Sequence, residues 1–346
     1  MQNSVQFVAS RLLIQDALRA YNLDGNNSES NWNVIVPDMQ AALGGGGAGA
    51  AVGQTLLMQS MIFPRDASGP AGSSSLLNTT GADLLGQIRL PYAYPNGTAV
   101  YLGDQGLGYP PELYPNLTYT SIPDGGSALS AAVYQGDFLN PLTDSSTLLL
   151  GPISINATFA LISMTLPMIN NTSAHDVLGW LTVVLDARLI TNVINSPEGL
   201  DSTGQMLLVG PVNRTNHFPS NVLYYDDPIQ DKVENQPINF VLPLATNESA
   251  RHPDHVRGAL NPPFPMSQYP AVAKAVSRNQ DSINNAGADI ATTNEAGQKV
   301  STGFAALLET PFCDWVVIVE QSRSEVWSPI THLRRVLLAC VFGTIG

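Results

Sequence analysis

The first forty residues carry a helical pattern of apolar positions. The apolar residues of this stretch recur near helical spacing on one side: Val5, Val8, Leu12, Leu13, Ala17 and Tyr21. Such spacing predicts a long amphipathic N-terminal helix. The pattern is interrupted near SESNW (28–32) and again at Pro37, and it ends near residue 43.

Strand-like segments follow. TLLLGPISI (147–155), ATFALISMTLPMI (157–169) and LGWLTVVLD (178–186) are apolar, rich in β-branched residues and separated by turn residues. They predict three neighbouring antiparallel strands. The next stretch, DARLITNVI (186–194), is predicted to form a short helix.

A second set of segments begins near residue 204. Four of its segments are strand-like, namely GQMLLVGPV (204–212), INFVLPL (238–244), GQKVSTGFAALLE (297–309) and DWVVIVE (314–320), and YPAVAKAVSRNQ (269–280) is helical. Trp180 precedes Arg188 by the same spacing as Trp315 precedes Arg323, which suggests duplication. We therefore predict four parts: an N-terminal helical segment (1–45), a first folded unit (46–203), a second folded unit (204–323) and a C-terminal helix (324–346).

The C-terminal helix has a defined start and an apolar end. Ser322 and Glu325 fit a capping box, and Pro329 either kinks the helix or begins a new one. Residues 336–346 form an apolar run of eleven residues, about half of a membrane span. We interpret the run as the start of a transmembrane helix; the alternative is an amphipathic helix packed on the core.

Charge and cysteine content exclude several classes of protein. Only 12% of residues are charged and the net charge is −13, so clustered cations for binding nucleic acid are lacking. Two cysteines, Cys313 and Cys340, supply neither a disulfide framework nor a thiolate metal site.

Glycosylation acceptor patterns indicate the compartment. Nine N-x-S/T motifs occur, at Asn26, Asn78, Asn96, Asn116, Asn156, Asn170, Asn171, Asn213 and Asn247. The N-terminus lacks the features of a signal peptide. We interpret the chain as an extracytoplasmic domain that lies between two membrane spans in a longer protein.

Sequence motifs that would indicate catalysis or the binding of a cofactor or metal are weak. We predict that Asp104-x-Gly106-x-Gly108 is a turn rather than an adenine-binding box, and that the glycine tract with Gly44, Gly46 and Gly49 is a linker. His252-Pro-Asp-His255 is predicted to be a surface loop rather than a metal site. Asp226 and Asp227 are predicted to end a strand rather than to bind an amine. No nucleophile elbow or Walker loop occurs, and we predict no catalytic, cofactor-binding or metal-binding residue.

Several stretches resemble one family. DWVVIVEQSRSEVWSPITHLRRVLLACVFG (314–343) resembles the end of the sensor region of fungal Sln-type hybrid histidine kinases. QFVASRLLIQDALRAYN, GLGYPPELYPNLTY and LGWLTVVLDARLI are also similar to that family. The resemblance implies an α+β fold, a double Cache (tandem PAS-like) sensor with a long N-terminal helix and a C-terminal helix leading into a membrane span.

The resemblance also implies a function. The chain is expected to be the extracellular sensing domain of a plasma-membrane osmosensor that reports turgor stress to a cytoplasmic phosphorelay, without enzyme activity of its own. We hypothesise that the terminal helices rearrange, with a homodimer formed through the apolar stripe of the first helix. The residues predicted to carry the output are Glu325, Trp327, Pro329, Leu333 and Arg334.

Two alternatives remain at this stage. One is a Cache receptor for a small extracellular metabolite, which a polar pocket in the first unit would favour. The other is a secreted hydrolase, which needs paired carboxylates or a nucleophile triad in a cleft.

Overall fold

The chain has a mixed α+β fold in two compact units. A computed structural model describes residues 2–43, 57–122, 129–134, 140–142, 147–156, 159–173, 176–196, 200, 202–213, 215–219, 235–244, 251–253, 255, 262–276, 285–307 and 312–345. Unit 1 comprises Met1–Leu189 and unit 2 comprises Ile190–Gly346.

Unit 1 opens with four short helices. They are α1 (Gln2–Ala9), α2 (Leu12–Asp24), α3 (Glu29–Asn33) and α4 (Val36–Ala42). The expected long N-terminal helix is wrong, because the chain breaks at Ser10 and Arg11. The Ser10 hydroxyl donates to the Phe7 carbonyl (3.0 Å), and Arg11 is extended (φ −66°, ψ 128°).

The predicted interruptions near residue 30 and at Pro37 each lie a few residues earlier in the chain. α2 ends at Asp24, α3 follows at 29–33, and α4 begins at Val36. Pro37 lies in the first turn of α4, where its missing N–H costs no hydrogen bond. The guanidinium of Arg11 donates to the Asp38 carbonyl (2.9 Å) and pairs with the Asp38 carboxylate, so the break after α1 is tied to α4.

The main sheet of unit 1 has five antiparallel strands in the order β2-β1-β10-β9-β8. The strands are β1 (Leu57–Pro64), β2 (Leu77–Thr80), β8 (Leu148–Asn156), β9 (Phe159–Ile169) and β10 (Val177–Asp186). The predicted adjacency of the last three is confirmed. Almost every residue of β9 and β10 is buried, which requires cover on both faces of the sheet.

Helices cover one face and small sheets contribute to the other. α1 packs on β9 and α2 packs on β10. Inserted between β2 and β8 are β3 (Arg89–Ala93), β4 (Ala99–Tyr101), β5 (Leu117–Ile122), β6 (Leu129–Tyr134) and β7 (Asn140–Leu142). Their apolar residues join clusters with the main sheet around Trp180 and around Leu161.

Unit 2 contains a six-stranded antiparallel sheet in the order β13-β12-β11-β16-β15-β14. Its strands are β11 (Gln205–Pro211), β12 (Pro237–Phe240), β13 (Phe264–Pro265), β14 (Ala286–Thr293), β15 (Lys299–Leu307) and β16 (Trp315–Ser322). The predicted helix is α6 (Pro270–Val276), and it packs with Tyr269 and Met266 on Val316 and Ile318 of β16.

Five strands of each main sheet have the same order, and β13 is an additional edge strand in unit 2. In unit 1 the first strand, β1, pairs with the last, β10, and in unit 2 β11 pairs with β16. In both sheets, the second strand pairs with the other side of the first strand. The two strands that come before the last strand in the sequence lie on the other side of the last strand. Each last strand leads into a helix, α5 (Arg188–Ile194) or α7 (Arg323–Val326). The Trp–Arg repeat in the sequence therefore marks equivalent elements of the two sheets.

The last helix, α8 (Ser328–Ile345), leaves the core. Every side chain from residue 328 to residue 343 is exposed, so the alternative of a helix packed on the core is wrong. No helix among the described residues is long and apolar enough to span a membrane.

Most of the apolar stripe of the N-terminal helices is occupied within the chain. Val5, Val8, Ala17 and Tyr21 are buried, whereas Leu12 and Leu13 of the same stripe are exposed; the homodimer itself stays a prediction. α1 and α2 use the buried part of the stripe to pack on β9 and β10. The apolar residues of these two helices that remain exposed are Phe7, Leu12, Leu13 and Leu23.

Leu18 and Leu23 test this packing because both lie on α2. Leu18 is fully buried, and a Cβ placed on Gly179 of β10 would lie 3.2 Å from its Cδ2. We expect Leu18→Ala to lower the free energy of unfolding by about 2–5 kcal/mol, as measured by chemical denaturation. Leu23→Ala, whose side chain is 82% exposed, should change it by less than about 0.5 kcal/mol. Equal effects of the two substitutions would contradict the placement of α2.

Candidate functional site

A group of charged and polar side chains is buried in the core of unit 2. We define the buried charge cluster as Gln205, Arg251, His252, Tyr269, Glu295 and Glu320. Every second residue of β16 lies on the same face of the sheet. Glu320 therefore points to the same face as Val316 and Ile318. It is fully buried there. A buried carboxylate requires hydrogen bonds and compensating charge.

Glu320 has both hydrogen bonds and compensating charge. Its Oε1 accepts from Gln205 Nε2 (3.0 Å) and Arg251 Nε (3.0 Å), and its Oε2 accepts from the Tyr269 hydroxyl (2.6 Å). Burial alone would raise the pKa of Glu320. Hydrogen bonds from His252 and Tyr269 and the charges of His252 and Arg251 outweigh burial, so the pKa is lowered.

His252 links the two carboxylates of the cluster. Its Nδ1 contacts Glu295 Oε1, and its Nε2 lies 3.5 Å from Glu320 Oε1. Burial favours the neutral imidazole, but the hydrogen bonds and charges of Glu295 and Glu320 raise the pKa of His252 to about 9. The raised pKa therefore keeps a positive charge on His252, between the Glu295 and Glu320 carboxylates, at neutral pH.

The turn between β14 and β15 brings Glu295 to His252. Asn294 Nδ2 donates to the Arg251 carbonyl (3.0 Å), and Asn294 Oδ1 accepts from the Gln298 amide (2.9 Å). The turn is thereby fixed against the segment that carries Arg251 and His252. Sequence analysis missed this cluster because Gln205, Arg251, Glu295 and Glu320 lie far apart in the chain and form no local motif.

The prediction of a surface loop at His252–His255 is wrong. Both imidazoles are buried, and Phe240 makes edge contacts with His252 (5.4 Å between centroids) and with His255 (5.0 Å). Asp254 lies outside the described residues. Within the described part of the chain, no group of three His, Cys, Asp or Glu side chains has the geometry to hold a metal ion.

The predicted capping box at Ser322 and Glu325 is also wrong. The Ser322 hydroxyl pairs with that of Ser324 (2.7 Å) instead of capping α7. The Glu325 carboxylate turns away from the Ser322 backbone and binds Ser202 and Thr203, which precede β11.

The other predicted output residues follow Glu325 along α7 and α8. Trp327 directly follows α7, and its indole N–H donates to the Ile290 carbonyl on β14 (3.4 Å). Pro329 lies in the first turn of α8 and therefore begins a new helix. Leu333 and Arg334 are exposed on α8. The structure thus places Glu325 and Trp327 against the sheet of unit 2, and Pro329, Leu333 and Arg334 beyond it.

The Asp104–Gly108 motif forms a turn in unit 1, as predicted. Asp104 Oδ2 accepts from the Tyr101 amide (2.7 Å), and the Gly103 amide donates to the Gly108 carbonyl (2.9 Å). A Cβ on Gly108 would lie 2.1 Å from the Asp104 nitrogen, which explains the glycine. Gly44, Gly46, Gly49, Asp226 and Asp227 lie outside the described residues, so their predictions stay untested.

The sequon asparagines fall into two groups. Among the described residues, six of them are exposed: Asn26, Asn78, Asn96, Asn116, Asn156 and Asn171. The other two, Asn170 and Asn213, are partly buried. The carboxamides of Asn170, Asn171 and Asn213 donate hydrogen bonds within the fold. Asn247 lies outside the described residues.

Asn170 and Asn171 tie the β9–β10 turn to α2. Asn170 Oδ1 accepts from Arg19 Nη2 (2.7 Å), and Asn171 Oδ1 accepts from Gln15 Nε2 (3.1 Å). Asn171 Nδ2 donates to the Ser10 carbonyl (3.1 Å). A glycan on Asn171 Nδ2 would therefore compete with the contact between the turn and the helix break.

Solved structures similar to this chain are sensory domains of signalling proteins. The extracellular domain of a protein described as a histidine kinase has a TM-score of 0.38 and 12% identity, over 93% of this chain and 85% of that one. A domain of a sensory box/GGDEF family protein from Vibrio parahaemolyticus has a TM-score of 0.37 and 11% identity, over 93% and 89%.

A third similar structure is the ligand-binding domain of the Pseudomonas aeruginosa amino-acid chemoreceptor PctC in complex with GABA. Its TM-score is 0.33 with 13% identity, over 92% of this chain and 96% of that one. No protein-family model and no curated protein matches the chain.

The pH dependence of stability tests the buried charge cluster. The pKa of His252 is raised from 6.5 to about 9, so its contribution is fully present below pH 6.5 and is lost as the pH rises through 9. We expect the free energy of unfolding of the wild type to fall over this range by at most about 3 kcal/mol. His252→Gln should abolish most of that slope.

The matched control is His332→Gln, because His332 is exposed on α8. Denaturation curves recorded at several pH values between 6 and 9.5 give the slopes. A His252→Gln slope equal to that of the wild type would show that His252 does not bridge the two carboxylates.

Proposed function

We propose that the chain is the extracellular sensing domain of a plasma-membrane hybrid histidine kinase that reports osmotic or turgor stress to a cytoplasmic phosphorelay. The observation that carries the proposal is the way in which the chain leaves unit 2 through its last strand and helices. The central strand β16 continues into α7 and then into α8, whose side chains are exposed from residue 328 to residue 343. A displacement of the central strand is therefore transmitted directly to a helix that leaves the domain.

Two further features support the proposal. The sequence resemblance to fungal Sln-type kinases is most specific over residues 314–343, which are β16, α7 and most of α8. The shared strand order of the two sheets supports a tandem PAS-like, or double Cache, arrangement. The chain itself performs no phosphotransfer in this proposal, because autophosphorylation belongs to the cytoplasmic part of the parent protein.

The membrane and the second copy are proposed partners. The exposed apolar residues of α8, among them Leu337, Leu338 and Phe342, suit the beginning of a membrane span. The surface of α1 and α2 that remains for a homodimer is the exposed set Phe7, Leu12 and Leu13.

A cysteine-crosslinking scan along residues 322–335 in the full-length gene product tests the function. Cys340 is first replaced by serine, because it is exposed on α8. We expect the pattern of crosslinked positions to change between low and high osmolarity, together with kinase output. Identical patterns in both conditions, or a domain that faces the cytosol, would contradict the proposal.

Glycan occupancy gives an independent test of the compartment. In a glycosylating host, we expect glycans on the exposed asparagines Asn78, Asn96 and Asn116, detected by mass spectrometry after enzymatic deglycosylation in heavy-oxygen water. Asn171 should be unoccupied in the folded protein, because its Nδ2 donates to the Ser10 carbonyl. Asn78→Gln provides the control for site assignment, and an unglycosylated secreted protein would count against an extracellular domain with these acceptors.

A further inference from the structure

The contact between the segment before β11 and the end of β16 continues past the last backbone pair through a side-chain hydrogen bond. The two strands pair from Val209 with Val316 to Gln205 with Glu320. Past that pair, the Ser322 amide donates to the Thr203 hydroxyl oxygen (3.0 Å). The segment before β11 is therefore held against the end of β16, at the point where α7 begins.

The Glu325 carboxylate adds further hydrogen bonds to the segment before β11. One oxygen, Oε1, accepts from the Ser202 amide (2.9 Å) and from the Ser202 hydroxyl. The other, Oε2, accepts from the Thr203 amide (3.0 Å), from the Thr203 hydroxyl and from Gln321 Nε2 (3.3 Å). We call these interactions the Glu325 contact.

Hydrogen bonds rather than a cation stabilise the charge of Glu325. The hydrogen bonds from the Ser202 and Thr203 side chains come first among the causes that lower its pKa to about 2. The carboxylate lies at the surface, so it is also hydrated at little cost when the contact opens. Release of Glu325 therefore leaves no buried unpaired charge, which makes the contact suited to a two-state element.

α7 is the last part of the chain held to the sheet of unit 2. Glu325 holds it to the segment before β11, and the Trp327 indole holds it to the Ile290 carbonyl on β14. The guanidinium of Arg323 lies over the Trp327 ring at 6.0 Å. From residue 328 onward every side chain up to residue 343 is exposed, so α7 and Trp327 attach the start of α8 to unit 2.

We propose that Glu325 is a positioning residue that fixes the exit helix to unit 2 by binding Ser202 and Thr203, and that release of this contact frees α7 and α8 to change direction. This inference rests on the proposed function for its signalling consequence, but the contact itself is a property of the domain. Any stimulus that moves the segment before β11 relative to β16 changes the occupancy of the contact. The pathway needs no ligand in the core of unit 2.

The contact is tested first in the 346-residue protein. Glu325→Gln removes the charge, and the double variant Ser202→Ala, Thr203→Val removes both hydroxyls while retaining the backbone amides. We expect amide hydrogen exchange at Thr203 and in α7 to become about tenfold faster in either variant. In the double variant, the pKa of Glu325, followed by carboxyl carbon NMR, should move from about 2 toward 4.5.

Ser324→Ala is the matched control, because Ser324 is exposed and bonds only to the Ser322 hydroxyl among the hydrogen bonds described. It should leave exchange at Thr203 unchanged. An unchanged pKa of Glu325 in the double variant, with unchanged exchange in Glu325→Gln, would overturn the contact. Exchange in β9 and β10 of unit 1 reports whether either variant has lost the global fold.

The signalling consequence is tested in the full-length protein. Glu325→Gln and the double variant should shift basal kinase output in the same direction, and their combination should shift it no further, because both remove one interaction. Additive shifts, or none, would overturn the positioning role even if exchange shows the contact. A wild-type protein without any response to osmolarity would refute the proposed function and leave the exchange result standing.

Discussion

The pairing of the first strand of each unit with its last strand is the constraint on which the rest of the structure depends. Because β11 pairs with β16, the last strand lies inside the sheet, with β15 on its other side. Interior strands expose neither edge and exchange both sets of backbone hydrogen bonds. The helix that follows thus begins at a well-fixed point, and the same holds for α5 after β10.

The contacts of Glu320 show how firmly the position of β16 in the sheet is determined. A carboxylate in the core of a sheet is costly unless it is paired and hydrogen bonded, and removal of one partner leaves an uncompensated charge. Arg251, His252 and Glu295 come from a segment and a turn outside the β11–β16 pair. Their convergence on β16 ties the segment around residue 252 and the β14–β15 turn to the strand that leads to the exit helix.

The two ends of the chain play different physical roles. α1 and α2 bury their apolar stripe on β9 and β10 and are tied to the β9–β10 turn by Gln15 and Arg19. α8 buries none of its side chains up to residue 343 and is attached to unit 2 at its start by α7 and Trp327. The N-terminal helices belong to the core of unit 1, whereas the C-terminal helix leaves unit 2 after a single turn of contact.

The sequence by itself determined seven of the strands (β8 to β12, β15 and β16) and the helices α5 and α6, because local apolar periodicity reflects which face of an element is buried. It also indicated the repeated strand-to-helix step at Arg188 and Arg323, and the turn at Asp104. Only the tertiary structure decided the break at Ser10, the burial of His252 and the partner of Glu325. Those outcomes depend on residues distant in the chain, such as Asp38, Glu295 and Ser202. Periodicity carries no information about such pairs, because a charged side chain has the same local pattern in solvent as beside a buried partner.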